Sequence, residues 1–464
     1  MKYTFTNKFP KDKEVAGILF VEGQDAIVRT PEGRIMIEIS IGKREEMTRR
    51  KLVTTIRKIV GCAKAANKKK AAFDFFDLVF PHLAIVPGEL AELIATNLEM
   101  ANFEFNKYKT KPKEGWNTLL ETIIVGKVGG EVEKAFKKGK TIGEGVNATR
   151  TLANTPGGDM TPSKLAQAAI DAAEGLPIEV TILNELEMEE LGMGAILGVG
   201  KGSDDKPRFI VMEYMPVEGD EPIVLVGKGI TFDTGGLNLK PSSAIYEMHM
   251  DMSGGAAVMN ALVLAAKLKL KKNIIALIPA AENMPSGGSY RPGDLLRTMS
   301  GKTIEVMNTD AEGRVVLADA LHYAKKYNPR LVVDVATLTG AAMVALGAHA
   351  SAIFTKDHDL EERFREWGEV SGDYVWPLPL WDEYEADIKG TFGDWSNTGT
   401  SRYGGAIQGA MFLYQFTKDA KGKSEYPWVH IDMAPRMVSV EGDHLAKGAA
   451  GEPVRLLVKV LEQY

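Results

Sequence analysis

Cysteine is almost missing from this chain: Cys62 is the single one in 464 residues, so no disulfide can form within it, and a reducing, cytoplasmic setting is expected. Histidine is also scarce, with seven residues, and neither a His-Glu-x-x-His nor a Cys-x-x-Cys pattern occurs. Zinc sites led by nitrogen or sulfur donors are thereby excluded, and any metal centre must be led by carboxylates. Gly-x-x-x-x-Gly-Lys-Ser/Thr and Gly-x-Gly-x-x-Gly are both absent, which removes the usual phosphate cradles. No apolar run is long enough for a membrane span: the stretch from Leu331 is broken by Asp334, and Ala16–Val21 is too short for a secretory signal and reads as a strand. No internal repeat or low-complexity linker interrupts the chain.

What is present is acidic chemistry on glycine-rich turns. Glu221–Val226 reads as a short buried strand, and Gly227, Gly229, Gly235 and Gly236 make the following segment a permissive loop carrying Lys228, Asp233 and Lys240. Asp233 is placed beyond a strand's C-terminal end, where open α/β sheets build their sites. Asp251 precedes a small-residue, helix-forming stretch. In Asn308-Thr309-Asp310-Ala311-Glu312-Gly313-Arg314, two carboxylates and a guanidinium stand just before apolar residues at helical spacing, Leu317, Leu321 and Ala324. Anions are favoured there by unpaired backbone N–H groups. Four carboxylates from three loops can converge on hard cations such as Mg²⁺ or Mn²⁺, or on Zn²⁺ with nitrogen assistance. Taken singly, Asp310 is equally a capping residue, Asp233 a turn aspartate, and His249 a packing or surface histidine.

The blocks VGKGITFDTGGLNLKP (226–241), MDMSGGAAV (250–258), ENMPSGGSYRPGD (282–294), NTDAEGRVVLADAL (308–321), TLTGAAMVALG (337–347), GGAIQGAMFL (404–413), HIDMA (430–434) and GAAGEPVRLLV (448–458) together resemble the M17 family of leucyl (cytosol) aminopeptidases over roughly residues 145–464. The resemblance implies a two-metal exopeptidase acting on peptides with a free N-terminus through a metal-bridged water. Asp233 and Glu312 would bridge the ions, Asp310 would complete one coordination sphere, and Asp251 with the neutral amine of Lys228 the other. Lys240 would stabilise the developing oxyanion, and Arg314 would hold bicarbonate as general base. Met248, Thr337, Gly340, Ala434 and Met437 would line the pocket for an apolar first residue such as leucine. Mn²⁺ or Zn²⁺ are the expected ions, with Mg²⁺ and Co²⁺ as alternatives.

The same resemblance implies a mixed-sheet α/β/α catalytic domain over 153–464, preceded by a smaller macro-like α/β domain over 1–145, a connecting helix near 131–152, and a homohexamer. Strand-like runs at Val15–Val21 and Leu119–Val125 flank helical patterns around 47–60 and 89–100 and agree with such a first domain. Residues 1–145 carry 26 Lys and Arg against 19 Asp and Glu, a surplus of seven, which leaves −13 of the overall −6 for the remainder. The basic clusters Lys43-Arg44, Arg49-Arg50-Lys51 and Lys68-Lys69-Lys70 read as solvated faces, with a polyanion surface as the alternative. A Cys-Gly or other dipeptidase on the same centre, and a DNA-binding regulator with peptidase activity, are the competing functional readings.

Overall fold

The computed structural model describes residues 1–419 and 421–464. It divides into two compact units, Met1–Asn147 with Ser439–Lys447, and Ala148–Val438 with Gly448–Tyr464. The boundary falls inside the long helix Gly130–Ala153.

The first unit holds strands β1 (Lys2–Thr6), β2 (Val15–Val21), β3 (Ala26–Arg29), β4 (Ile35–Ser40), β5 (Lys70–Asp74) and β6 (Glu121–Val125), ordered β1-β6-β5-β2-β4-β3. All neighbours are parallel except β3, which returns antiparallel on β4. The helical patterns appear as Arg49–Ala65, whose Thr48 side chain accepts from Lys51 N–H, and Pro87–Asn102, which starts on a proline whose missing N–H costs nothing at that position. Their apolar faces bury Ile56 and Ile94 in one core with Ile18, Ile39 and Phe73 of the sheet. Ser439–Lys447 belongs to this unit because the buried Arg57 reaches it: its Nη1 donates to Asp443 O at 3.2 Å, while Nε donates to Asn97 Oδ1 at 2.8 Å.

The second unit is built on a nine-stranded mixed sheet of β7 (Glu179–Leu183), β8 (Arg208–Tyr214), β9 (Ile223–Gly227), β10 (Gly229–Asp233), β11 (Ile274–Asn283), β14 (Leu331–Ala336), β15 (Ser351–Phe354), β16 (Val375–Pro377) and β18 (Trp428–Asp432). A separate three-stranded sheet joins β12 (Leu295–Arg297), β13 (Thr303–Glu305) and β17 (Trp395–Ser396). The main order is β16-β15-β18-β14-β9-β11-β8-β7, with β10 paired to β11. β18, β14, β9 and β11 are mutually parallel, so their C-terminal ends share one edge. The chain is α/β with helices on both faces: Val224, Val226, Ile275 and Leu277 pack with helix Glu312–Ala324, and helix Ser253–Lys267, buried over almost its whole length, packs on β9 and β11. Gly227 and Gly255 permit that approach, since a Cβ on Gly227 would lie 2.6 Å from Gly254 O and one on Gly255 2.8 Å from an Ile278 methyl. Among the described residues no helix is long and apolar enough to cross a membrane.

The glycine-rich segment after β9 is not a free loop, as the sequence suggested. It resumes as β10, parallel to the upper half of β11, after a break at Lys228 whose N–H donates to Val335 O at 3.0 Å and whose carbonyl accepts from Gly255 N–H at 2.7 Å. Glycine serves here for close packing, with neighbouring strands supplying the backbone hydrogen bonds a loop would have taken from water.

Helix Glu312–Ala324 is anchored by Asp319, fully buried, which accepts the N–H groups of Ala195 (3.0 Å), Ile196 (3.1 Å) and Met299 (2.8 Å). Burial pushes this carboxyl up to about 7, with the three donors pulling the other way. Asp319→Ala would strand all three donors without water. It is expected to lower unfolding free energy by about 3 kcal/mol in urea titration, and Asp319→Asn by less because one acceptor remains.

Candidate active site

The sheet edge formed by the ends of β9, β10, β11, β14 and β18 delivers the charged residues to one place. Lys228 follows β9, Asp233 ends β10, Thr337 follows β14, and Ala434 lies just past β18. Asp251 precedes helix Ser253–Lys267, and Glu312 opens helix Glu312–Ala324 with Asp310 in the turn before it. These residues, with Lys240, Met248, Gly340 and Met437, line a single cavity of about 480 Å³. Eleven of the twelve sequence-derived site residues are therefore brought together on its wall. The exception is Arg314, which is buried in the first turn behind Glu312 and is not part of the lining. His249 is absent from the lining and from the carboxylate cluster.

Asp233, Asp310 and Glu312 offer oxygens within 4.8 Å of one another. Two ammonium groups sit among the acids. Lys228 Nζ lies 2.8 Å from Asp251 Oδ2, 2.7 Å from Glu312 Oε1 and 3.0 Å from Thr337 O. Lys240 Nζ lies 2.8 Å from Asp233 Oδ2 and also pairs with Asp310. Lys228 reaches its place because residue 313 is glycine: a Cβ there would come within 2.5 Å of Lys228 Cε.

Burial alone would lower the Lys228 ammonium, but Asp251, Glu312 and Asp233 more than reverse this and raise it above the ordinary lysine range. Lys240 behaves alike, burial opposed by Asp233 and Glu312. Burial, reinforced by the charge on Glu312, raises Asp233 and Asp251. Glu312 goes the other way, because Lys228 and Lys240 outweigh its burial. Burial draws the Arg314 guanidinium down to about 10 against the pull of Glu312 and Asp432, and its Nε is buried without a hydrogen-bond acceptor.

Two of the acids are held by one oxygen and present the other. Asp233 Oδ1 accepts from Gly235 N–H and Asn283 Nδ2, both at 2.8 Å, and Asp251 Oδ1 accepts from Thr337 Oγ1 at 2.6 Å. Asp251 Oδ2 and Asp310 Oδ1 are buried beside the lysines with no well-aimed hydrogen-bond donor. Hard carboxylate oxygens left under-coordinated around a compact space are what divalent cations require, so the donor set fits them.

The sequence did not reveal the groups that hold this wall in place. Asn397, from the loop after β17, accepts Met307 N–H at 2.8 Å and donates to Asn308 O at 2.6 Å. Asn238 accepts Thr309 N–H at 2.9 Å, and Tyr290 OH donates to Thr309 O at 2.7 Å. Asn238, Asn283 and Tyr290 lie in blocks the sequence had already singled out; Asn397 does not. Ser243, Ala244, Glu247, Leu338, Thr339 and Met343 complete the cavity lining.

With this geometry in view, similarity to known proteins becomes specific. The profile of the cytosol aminopeptidase family, catalytic domain, matches residues 147–458. The chain belongs to the cytosol aminopeptidase family. A probable cytosol aminopeptidase of Roseiflexus castenholzii is 41% identical over 441 residues, covering 94% of this chain and 88% of the relative. One from Geobacter sulfurreducens is 42% identical, covering 94% and 86%, and one from Rickettsia felis 38%, covering 100% and 90%. Among solved structures, the bottromycin maturation enzyme BotP in complex with Mn superposes with a TM-score of 0.85 at 29% identity, covering 97% of this chain and 99% of that one. As a cytosol aminopeptidase family member, the chain is a peptidase, and the cavity just described lies within the matched residues.

The lysine–acid pairing has a consequence for the metal-free protein. Lys228→Met would leave Asp251 and Glu312 buried without their cation. In chelator-treated protein the variant is expected to lose about 3 kcal/mol of stability, read from urea unfolding.

Proposed function

We propose that the chain is a two-metal aminopeptidase that removes an apolar N-terminal residue, leucine foremost, from peptides with a free N-terminus. The observation carrying this reading is the set of three buried carboxylates and the half-buried Asp310, with Lys228 and Lys240 lodged between them on the wall of the cavity. Asp233 and Glu312 would hold both ions, Asp310 one, and Asp251 with Lys228 the other. The donor set suits Mn²⁺ or Zn²⁺, and Mn²⁺ is the ion named for the BotP structure. Bound there, two divalent cations supply an activated water and polarise the scissile carbonyl.

This chain's own residues do the remaining work. Lys228 can ligate only as the free amine, so loading the site requires its proton to leave. Lys240 would give up its carboxylate partners and present its ammonium to the carbonyl oxygen as negative charge develops there. Arg314, whose buried guanidinium Nε has no acceptor among the described residues, would hold bicarbonate, which would supply a base for the attacking water. Met248, Thr337, Gly340, Ala434 and Met437 would receive the first side chain, the methionines adapting to its shape.

Hydrolysis of a panel of aminoacyl amides, before and after chelation and with Mn²⁺, Zn²⁺, Mg²⁺ or Co²⁺ restored, tests the reading. Activity should vanish on chelation, return with Mn²⁺ or Zn²⁺, and favour Leu; activity that survives complete metal removal would sink it. In the same assay Lys240→Ala should lower kcat by about two to three powers of ten with metal content retained. A change in KM alone would mean that Lys240 only binds substrate.

Bicarbonate provides a separate check on Arg314. Enzyme prepared without carbonate should be slow and recover when bicarbonate is added, whereas Arg314→Ala should respond far less. Equal stimulation of both proteins would remove Arg314 from this role.

We also propose a cytoplasmic homohexamer. Support comes from the large apolar side chains that the catalytic unit leaves in the open, Tyr246, Val344, Phe392 and Tyr403, each at least 75% exposed. Light scattering should give about 300 kDa, six times the 50.6 kDa chain. A fully active monomer at micromolar concentration would contradict it.

A further inference from the structure

The block Glu282–Asp294 has no part in the chemistry above, yet it contributes the residue that touches both acid-bearing loops. Asn283 is the last residue of β11, fully buried, and stands opposite Asp233 in the β10–β11 register. Its Nδ2 spends both hydrogens on the site, one on Asp233 Oδ1 at 2.8 Å and one on Thr309 O at 2.8 Å. Both partners are acceptors, a carboxylate and a carbonyl, so the amide cannot be turned around without placing oxygen against oxygen. Its backbone carbonyl meanwhile accepts Thr234 Oγ1 at 2.7 Å and Thr234 N–H at 3.1 Å, which fastens the chain just after Asp233 to the same residue.

The other end of the amide argues against a merely structural role. Asn283 Oδ1 is buried with no hydrogen-bond donor among the described residues, and Gly236 backs onto it so closely that a Cβ there would lie 2.7 Å away. A buried acceptor left unpaired is a standing cost, which an apolar residue of similar size would avoid. What an apolar residue could not do is donate to Asp233.

We propose that Asn283 is the positioning residue of the metal centre. By occupying Asp233 Oδ1, together with Gly235 N–H, it leaves Oδ2, the oxygen now meeting Lys240, as the one through which Asp233 holds cations. By gripping Thr309 O it fixes the adjacent Asp310 relative to Asp233. This rests on the two-metal reading given above.

Tyr290 supplies the internal control, because its hydroxyl donates to the same Thr309 O at 2.7 Å and makes no hydrogen bond to Asp233. The experiment is Mn²⁺ titration of the full-length metal-free protein, followed by calorimetry, for wild type, Asn283→Ala and Tyr290→Phe, with thermal unfolding of each alongside. Wild type should bind Mn²⁺; Asn283→Ala should bind it about ten- to a hundredfold more weakly, and Tyr290→Phe within about threefold of wild type. Should Asn283→Ala not fold, Asn283→Ser, polar but too short to reach Asp233, takes its place with the same expected loss. Unchanged affinity in the Asn283 variant overturns the proposal. So does an equal loss in Tyr290→Phe, since the amide would then act only by holding the Thr309 loop. Absence of Mn²⁺ binding by wild type would instead remove the two-metal reading, and this proposal with it.

Discussion

Four carboxylates gathered at the end of a sheet, three of them buried and Asp310 half-buried, are the constraint around which the catalytic unit is arranged. Isolated, each would be costly to keep ionised. Lys228 and Lys240 make the arrangement tenable, and each does so by lying between two acids from different parts of the chain: Asp251 with Glu312, and Asp233 with Asp310. The centre thus ties the segment after β10, the start of helix Ser253–Lys267 and the start of helix Glu312–Ala324 to one another. Breaking any one contact leaves a charge without its counterpart in a medium of low dielectric.

This also explains how one geometry serves two states. In the proposed two-metal reading, ammonium groups and divalent cations would compete for the same oxygens, so the lysines would keep the acids apart and oriented until ions arrived. Because Gly235 N–H and Asn283 hold Asp233 by Oδ1, and Thr337 holds Asp251 by Oδ1, exchanging one cation for another need not rotate either carboxylate. The protein carries its reorganisation in two flexible lysine side chains, and the backbone can stay where folding put it.

Much of this was legible beforehand, for reasons that differ by residue. Asp310, Glu312 and Asp251 announced themselves through position, each next to a helix start that apolar periodicity located. The α/β class of the first unit followed from its alternation of apolar runs and helical patterns, and that of the second from the family resemblance. Lys228–Asp233 was misjudged because the four glycines Gly227, Gly229, Gly235 and Gly236 carry a local preference for loops, whereas β11 and β14 supply pairing partners that local sequence cannot show. Asn238, Asn283 and Asn397 were passed over as catalytically inert. Their roles depend on hydrogen bonds to residues 26 to 90 positions away in the chain, and an asparagine's local appearance is the same in a turn. Ser439–Lys447 joined the first unit for the same reason, through Arg57, 386 residues distant from Asp443.

The absence of a side chain at Gly313 has a wider meaning than local fit. A methyl group there would occupy the space of the Lys228 side chain, 2.5 Å from Cε and 2.7 Å from Nζ. Positions 228 and 313, far apart in sequence, are coupled through space: a larger residue at 313 would oblige the Lys228 ammonium to shift from its place between Asp251 and Glu312, so the smallest side chain in the site sets where its buried cation stands.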